Sequence, residues 1–223
     1  MAFIATAPSL YDLHISYSAN ITKQLKEIYH AEAFTIPFGY DDSPVNIPPF
    51  TVALNTILFV GAYDPERAYF LKKLSEPALA IYGDKKWHTR TYLNKALQDQ
   101  YAGRPLYGDE YKSAAKGSMG VLNLLRRQNI VEGSHNMRTF EVPGYGGLLI
   151  ANRTAEQQFF FEEDKEAVYF NSIEELKDRI RFLKTHDHLI DKIKAAAYLR
   201  SVRSGYSYTS RSGQLYLQIK KYL

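Results

Sequence analysis

Six short apolar runs, separated by segments of helical period, limit what this chain can fold into. They are Thr56–Val60 (TILFV), Ala78–Tyr82 (ALAIY), Arg104–Tyr107, the VLNLL that opens at Val121, Leu148–Ala151 and Ala167–Phe170. Each is strand-length. The intervening segments carry helix signals. Asp64, Pro65 and Glu66 set an N-cap, a first-position proline and an acid in the first turn, which predicts a helix to about Leu74. Further helices are expected over Thr89–Gln100 and Asp109–Gly117. Ser172-Ile173-Glu174-Glu175 reads as a capping box, and the helix behind it places Leu176, Ile180 and Leu183 on one stripe. Helices over His188–Val202 and Ser210–Leu223 follow, with Gly205 between them. Strands alternating with helices imply an α/β fold, a parallel sheet covered by helices on both faces. Ligands of such sheets sit at the carboxyl ends of the strands. Gly61, Gly83, Arg126–Gly133 and Asn152 all follow strands, so one rim should hold them.

The first fifty residues have a different rhythm. Ala2–Ala7 and Ala33–Pro37 read as short strands, and Ser18–His30 as an amphipathic helix with Ile21, Leu25 and Ile28 on one face. FGYDDSPVNIPPF is dense in turn residues and marks the best boundary. The expected division is 1–50 and 51–223.

Composition excludes several classes of function. The chain has no cysteine, so disulfides, thiolate metal sites and cysteine nucleophiles are ruled out, and a reducing cytoplasm is compatible. Its net charge of +4 comes from dispersed lysines and arginines, which argues against nucleic-acid binding. Lys85-Lys86-Trp87-His88, the densest basic patch outside residues 121–147, reads as a solvated loop. MAFIATAPS lacks a basic leader region, and the longest apolar run, Val52–Ala62, falls short of the roughly 20 residues of a transmembrane helix.

The chemistry gathers in Val121–Gly147, VLNLLRRQNIVEGSHNMRTFEVPGYGG. A strand, a polar loop and a helix start can hold an anion at a helix N-terminus. Arg126, Arg127 and Arg138 can grip a pyrophosphate in bidentate fashion. Glu141, one turn after Arg138, can accept hydrogen bonds from a ribose diol or simply pair with that arginine. Asn129 and His135 lie in the same loop and are candidate ligand contacts. The GAYDPER turn adds Gly61 and Arg67, either as part of a phosphate cradle or as an ordinary strand-to-helix turn. His186-Asp187-His188 with Asp191 has metal-like spacing but sits between two helices, where Asp serves as an N-cap, so no metal site is assigned. Walker A, G-x-S-x-G, H-E-x-x-H, G-x-G-x-x-G and Asp-x-Asp patterns are absent, and no catalytic residue is assigned.

Taken in order, IPFGYD, ILFVGAYDPER, LAIYGDKKW, PLYGDEY, LNLLRRQNIVEGSHNMRTFEVPGYGGLLIA and FFEEDKEAVYFNSIEELKDRIRFL resemble the C-terminal, donor-binding half of a GT-B glycosyltransferase. Within that class the resemblance is to the CgeB-like group, from about residue 35 onward. It implies a Rossmann-like domain that binds a nucleoside-diphosphate sugar of unspecified base, with no separate cofactor. It implies that Glu141 holds the ribose and that Arg127 and Arg138 face the diphosphate or the sugar. The related two-glutamate motif separates its acids by seven residues; Glu132 and Glu141 are separated by eight, so the role carries to Glu141 and Glu132 stays open. GT-B enzymes have two such domains, so the facing acceptor half is expected from a second chain, a second copy or a longer parent protein. The rival expectation is a non-catalytic nucleotide-binding or assembly module that works with a partner chain. An unrelated Rossmann-like enzyme for another phosphorylated ligand is a third.

Overall fold

The computed structural model describes residues 8–46 and 50–222. The expected strand at Ala2–Ala7 lies outside them. A small N-terminal unit comes first: β1 (His14–Ser16), α1 (Ala19–Tyr29) and β2 (Ala33–Thr35), with the two strands paired in parallel. Ser18 caps α1 by accepting from the Ile21 N–H. Leu25 is buried as expected, whereas Ile28 is 62% exposed.

The main sheet holds β3 (Ile57–Val60), β4 (Leu79–Tyr82), β5 (Gly120–Asn123), β6 (Leu149–Asn152) and β7 (Val168–Phe170). All pairs are parallel, in the order β4-β3-β5-β6-β7. The period of two is visible in β3. Ile57 and Phe59 enter one core with α2 (Pro65–Leu74), α4 (Lys95–Gln100), α9 (Ile173–Thr185) and α10 (Asp187–Arg203). Leu58 and Val60 enter the other with α5 (Gly108–Gly117) and α7 (Arg138–Gly144). The remaining helices are α3 (Lys86–Arg90), α6 (Arg127–Glu132), α8 (Ala155–Phe160) and α11 (Tyr208–Ile219).

The strand expected at Arg104–Tyr107 does not form. Instead, residues 101–104 follow the edge of β4 with two hydrogen bonds, Ala102 N–H to Ile81 O (2.9 Å) and Gly83 N–H to Arg104 O (3.2 Å). Gly103 sits at φ +79 and Pro105 has no N–H, so the ladder cannot run on. The helix expected over Thr89–Gln100 is two, α3 and α4, because Asn94 starts α4 anew by accepting from Leu97 N–H. The loop expected after β5 contains α6.

The linker is tied down at several points. Tyr40 N–H donates to Tyr206 O and Tyr208 N–H donates back to Tyr40 O. The buried Lys112 ammonium donates to Ser43 O and Oγ and pairs with Asp41 at 2.8 Å. The Lys112 and Ser43 hydrogen bonds hold the Asp41 carboxyl at about 2.

Candidate functional site

From β3 the chain moves outward to β4 and the 101–104 edge, then returns to β5 and continues the other way through β6 and β7. The reversal leaves a crevice beyond the carboxyl ends of β3 and β5, the place where open α/β sheets bind ligands. Gly61 leaves β3 there. Its N–H donates to Tyr82 O and its carbonyl accepts from the Trp87 indole at 2.9 Å. A Cβ on the neighbouring Gly83 would fall 2.2 Å from Gly61 O, so only glycine lets the two strand ends close up.

Asp64 caps α2 by accepting from Glu66 and Arg67 N–H, which fixes Arg67 in the first turn. The Arg67 guanidinium crosses the crevice and donates Nη2 to Leu124 O at 2.8 Å, while its buried Nε has no partner among the described residues. A cleft of about 160 Å³ opens here between α2 and the β5–α6 loop, lined by Asp64, Arg67, Leu125, Arg126 and Asn152. Asn152 accepts from Leu125 N–H at 2.8 Å and so shapes that loop. Burial, then the nearby Arg126 charge, lower the Arg67 pKa, with Asp64 opposing and Arg138 adding to the effect.

Arg138 opens α7. Its Nε donates to Val60 O at 3.4 Å, its Nη1 pairs with Glu141 one turn on, and its guanidinium lies 4.4 Å from the centre of the Tyr111 ring. Burial opposes its charge, and Tyr111 and Glu141 more than offset that, so its pKa rises. The Glu141 carboxylate receives Arg138 on Oε2; its Oε1 accepts no hydrogen bond from the described residues. Around the pair stand Tyr111, Tyr145 and Tyr208, whose pKa values rise by burial first, with the Glu141 charge adding to each. The buried Tyr111 hydroxyl has no partner among the described residues.

Gly61, Arg67, Arg138 and Glu141 are thus brought together, with Arg126 beside them. Arg127 is exposed at the first position of α6. Asn129 donates to Ser134 Oγ (3.1 Å) and His135 O (3.2 Å), closing the loop between α6 and α7. His135 turns away from the solvent altogether. It is fully buried among Tyr17, Phe38, Phe140 and Phe160, its Nε2 accepts from Phe38 N–H at 3.2 Å, and its Nδ1 lies 3.2 Å from Glu156. His186 stacks on Phe182, and among the described residues no three His, Cys, Asp or Glu side chains are placed to hold a metal ion. Sequence reasoning passed over Tyr111, Tyr145 and Tyr208. They come from three separate helices or loops, and the one available signal was the chain's 18 tyrosines.

A parallel sheet with helices on both faces and a crevice at its reversal point defines a Rossmann-like α/β domain. The chain belongs to the glycosyl transferase-like family, whose sequence profile matches residues 67–216. No curated protein matches the sequence. Solved structures with a similar fold include a glycosyltransferase from Rickettsia africae ESF-5 (16% identity, TM-score 0.64), covering 93% of this chain and 62% of that one. Sucrose-phosphate synthase from Thermosynechococcus elongatus is similar as well (13% identity, TM-score 0.67; 100% and 62%). So is the Anabaena protein HepE in complex with UDP and glucose (10% identity, TM-score 0.69; 99% and 66%). The chain spans 62–66% of the length of these three. The fold is the Rossmann-like half of the GT-B architecture. Among the described residues no helix is long and apolar enough to cross a membrane.

Proposed function

We propose that this protein binds a nucleoside-diphosphate sugar in the β3–β5 crevice and transfers its sugar to an acceptor. The observation that carries the reading is the convergence of Arg67, Arg126 and Arg138 on that crevice, beside a glutamate with one oxygen free. An anion between the guanidinium groups relieves their mutual repulsion. The HepE complexes with UDP and glucose and with UDP-glucose support the ligand class.

In this reading the diphosphate lies between Arg67 and Arg138, with Arg126 and Arg127 at its outer side. The ribose diol donates to Glu141 Oε1. Gly61 permits close backbone approach, and Asn129 and His135 shape the loop from behind. An acceptor oxygen bonds to the anomeric carbon as the bond from that carbon to the diphosphate breaks. The nucleoside diphosphate departs with the electron pair, its charge stabilised by the arginines, and the proton of the acceptor hydroxyl passes to the departing phosphate oxygen or to water. The proposal extends to membership of the CgeB-like branch, a division of the chain near residue 50, and a cytoplasmic location, for which the lack of cysteine is the support.

Titration calorimetry of the full chain with UDP, GDP and TDP, each alone and with its sugar attached, tests the reading. Binding of at least one is expected, and binding by none would overturn it. Sugar release from the bound donor separates transfer from the second reading, a binding module completed by another polypeptide.

A further inference from the structure

The turn between α3 and α4 displays apolar side chains on a rigid mount. Trp87 is fully buried and anchors α3 through its indole hydrogen bond to Gly61 O. Asn94 N–H donates to Thr91 O at 2.7 Å, and Gln98 ties α4 back to His88 O. On this frame Leu93 is 87% exposed and Tyr92 68% exposed. Tyr69 and Lys72 of α2 join Arg90, Tyr92, Leu93 and Asn94 around a recess of about 200 Å³, so α2 and the turn share one face.

That face is cationic. Lys72, Lys85, Lys86, Arg90 and Lys95 are all exposed, and none has a carboxylate within ion-pair distance among the described residues. The acids on these segments form no ion pair with them among the described residues. Asp84 is turned to the Lys86 backbone N–H, Glu66 sits in the first turn of α2 and Asp99 lies near the end of α4. An ordered turn that lifts a leucine and a tyrosine into solvent beside Lys72 and Arg90, with Lys85, Lys86 and Lys95 on the flanking segments, matches the two requirements of an interfacial anchor. It offers apolar groups to enter the acyl boundary and cations to meet anionic headgroups.

We propose that the α3–α4 turn and the adjoining face of α2 dock this protein on an anionic lipid bilayer. The apolar tip decides between a bilayer and a soluble polyanion, since only the former gives Leu93 somewhere to go. α3 follows β4 on the same rim as Gly61, so docking turns the rim of the crevice toward the membrane. This surface is separate from the donor crevice, and its test uses no nucleotide.

The test is flotation of the full chain with phosphatidylcholine vesicles, with and without phosphatidylglycerol. Binding is expected only with phosphatidylglycerol present and should weaken as salt rises. A variant carrying Lys85→Ser, Lys86→Ser, Arg90→Ser and Lys95→Ser should bind more than about tenfold more weakly. Tyr92→Ser with Leu93→Ser should also lose about tenfold while keeping its retention on a heparin column. Unchanged melting temperatures would show that both variants fold. Absence of binding to the anionic vesicles would overturn the proposal. So would vesicle binding that survives loss of Tyr92 and Leu93, which would mark a surface for soluble polyanions instead.

Discussion

Glu141 has one carboxylate oxygen held by Arg138 and one that accepts no hydrogen bond from the described residues. If that free oxygen takes the ribose diol, Glu141→Ala removes the ribose contact and also strands the half-buried Arg138 without its anion. UDP affinity should then fall more than about tenfold, which is about 1.4 kcal/mol; calorimetry on the variant would read it, and unchanged affinity would free Glu141 of the role. In the proposed pose Arg67 meets the other end of the ligand. Its side chain is half-buried and crowded by Arg126, so its net contribution should appear only when an anion is present. Arg67→Gln is therefore expected to weaken UDP by about tenfold or more while changing uridine little, the scale of a hydrogen bond to a charged group. An equal loss for both ligands would place Arg67 on the nucleoside. The nearness of Arg126, Arg138 and Glu141 was legible in the sequence because one loop and one short helix carry them, whereas Arg67 joins them from the separate start of α2. The tyrosine wall was not: Tyr111, Tyr145 and Tyr208 meet only through the packing of α5, α7 and α11, which no short-range pattern encodes. His135 was misjudged for the same reason, since its partners Phe38 and Tyr17 lie about a hundred residues upstream.

At the scale of elements, the strongest sequence signals were those with a hydrogen bond behind them. Asp64 and Ser172 both cap the helices they were expected to start. The box at Ser172 is only half closed, however. Glu175 does not return to the Ser172 N–H; its carboxylate accepts from Asn171 N–H at 2.8 Å and from Arg153, which also holds Glu163. A long-range arginine outcompetes the local partner. The Arg153 and Asn171 hydrogen bonds depress the Glu175 pKa to about 2, against an ordinary 4.5. A carboxylate depressed in the folded state stabilises it at pH values above the unfolded pKa, and that stability is lost as pH falls toward the folded pKa. Denaturant melts of the parent and Glu175→Gln should therefore differ most above about pH 5 and converge toward about pH 2. A gap independent of pH would show that Glu175 acts by packing alone. The missing third strand has a similar lesson. Arg104–Tyr107 was expected as a short strand, yet Gly103 and Pro105 remove the backbone continuity and the N–H that a ladder needs.

For the whole molecule, the question is how the N-terminal unit is held against the main sheet. The linker answers it at Tyr40, whose ring lies directly on Gly144 and whose backbone bonds the α10–α11 turn in both directions. A Cβ at Gly144 would fall 2.2 Å from that ring. Gly144→Ala should cost about 1–3 kcal/mol in a denaturant melt, the usual penalty for overpacking. Loss of nothing would mean that the linker can move aside.

The crevice joins those same parts: Arg67 reaches from α2 to the end of β5, Arg138 from α7 to the end of β3, and the Glu141 charge extends to Tyr208 on α11. A ligand seated there bridges segments that are far apart in the chain, and it can bind only when all of them are in place. Binding to the folded state alone stabilises by RT ln(1 + [L]/Kd), about 2.7 kcal/mol at a hundredfold excess over Kd. For a chain of this size each kcal/mol raises the melting temperature by about 2–4 °C. The preferred nucleoside diphosphate at that excess should thus lift the melting temperature by roughly 5–10 °C. The Glu141→Ala and Arg67→Gln proteins should show a much smaller rise at the same concentration. Equal shifts in parent and variants would move the ligand out of this crevice. A flat response to UDP, GDP and TDP alike would leave the arginines as a purely structural cluster.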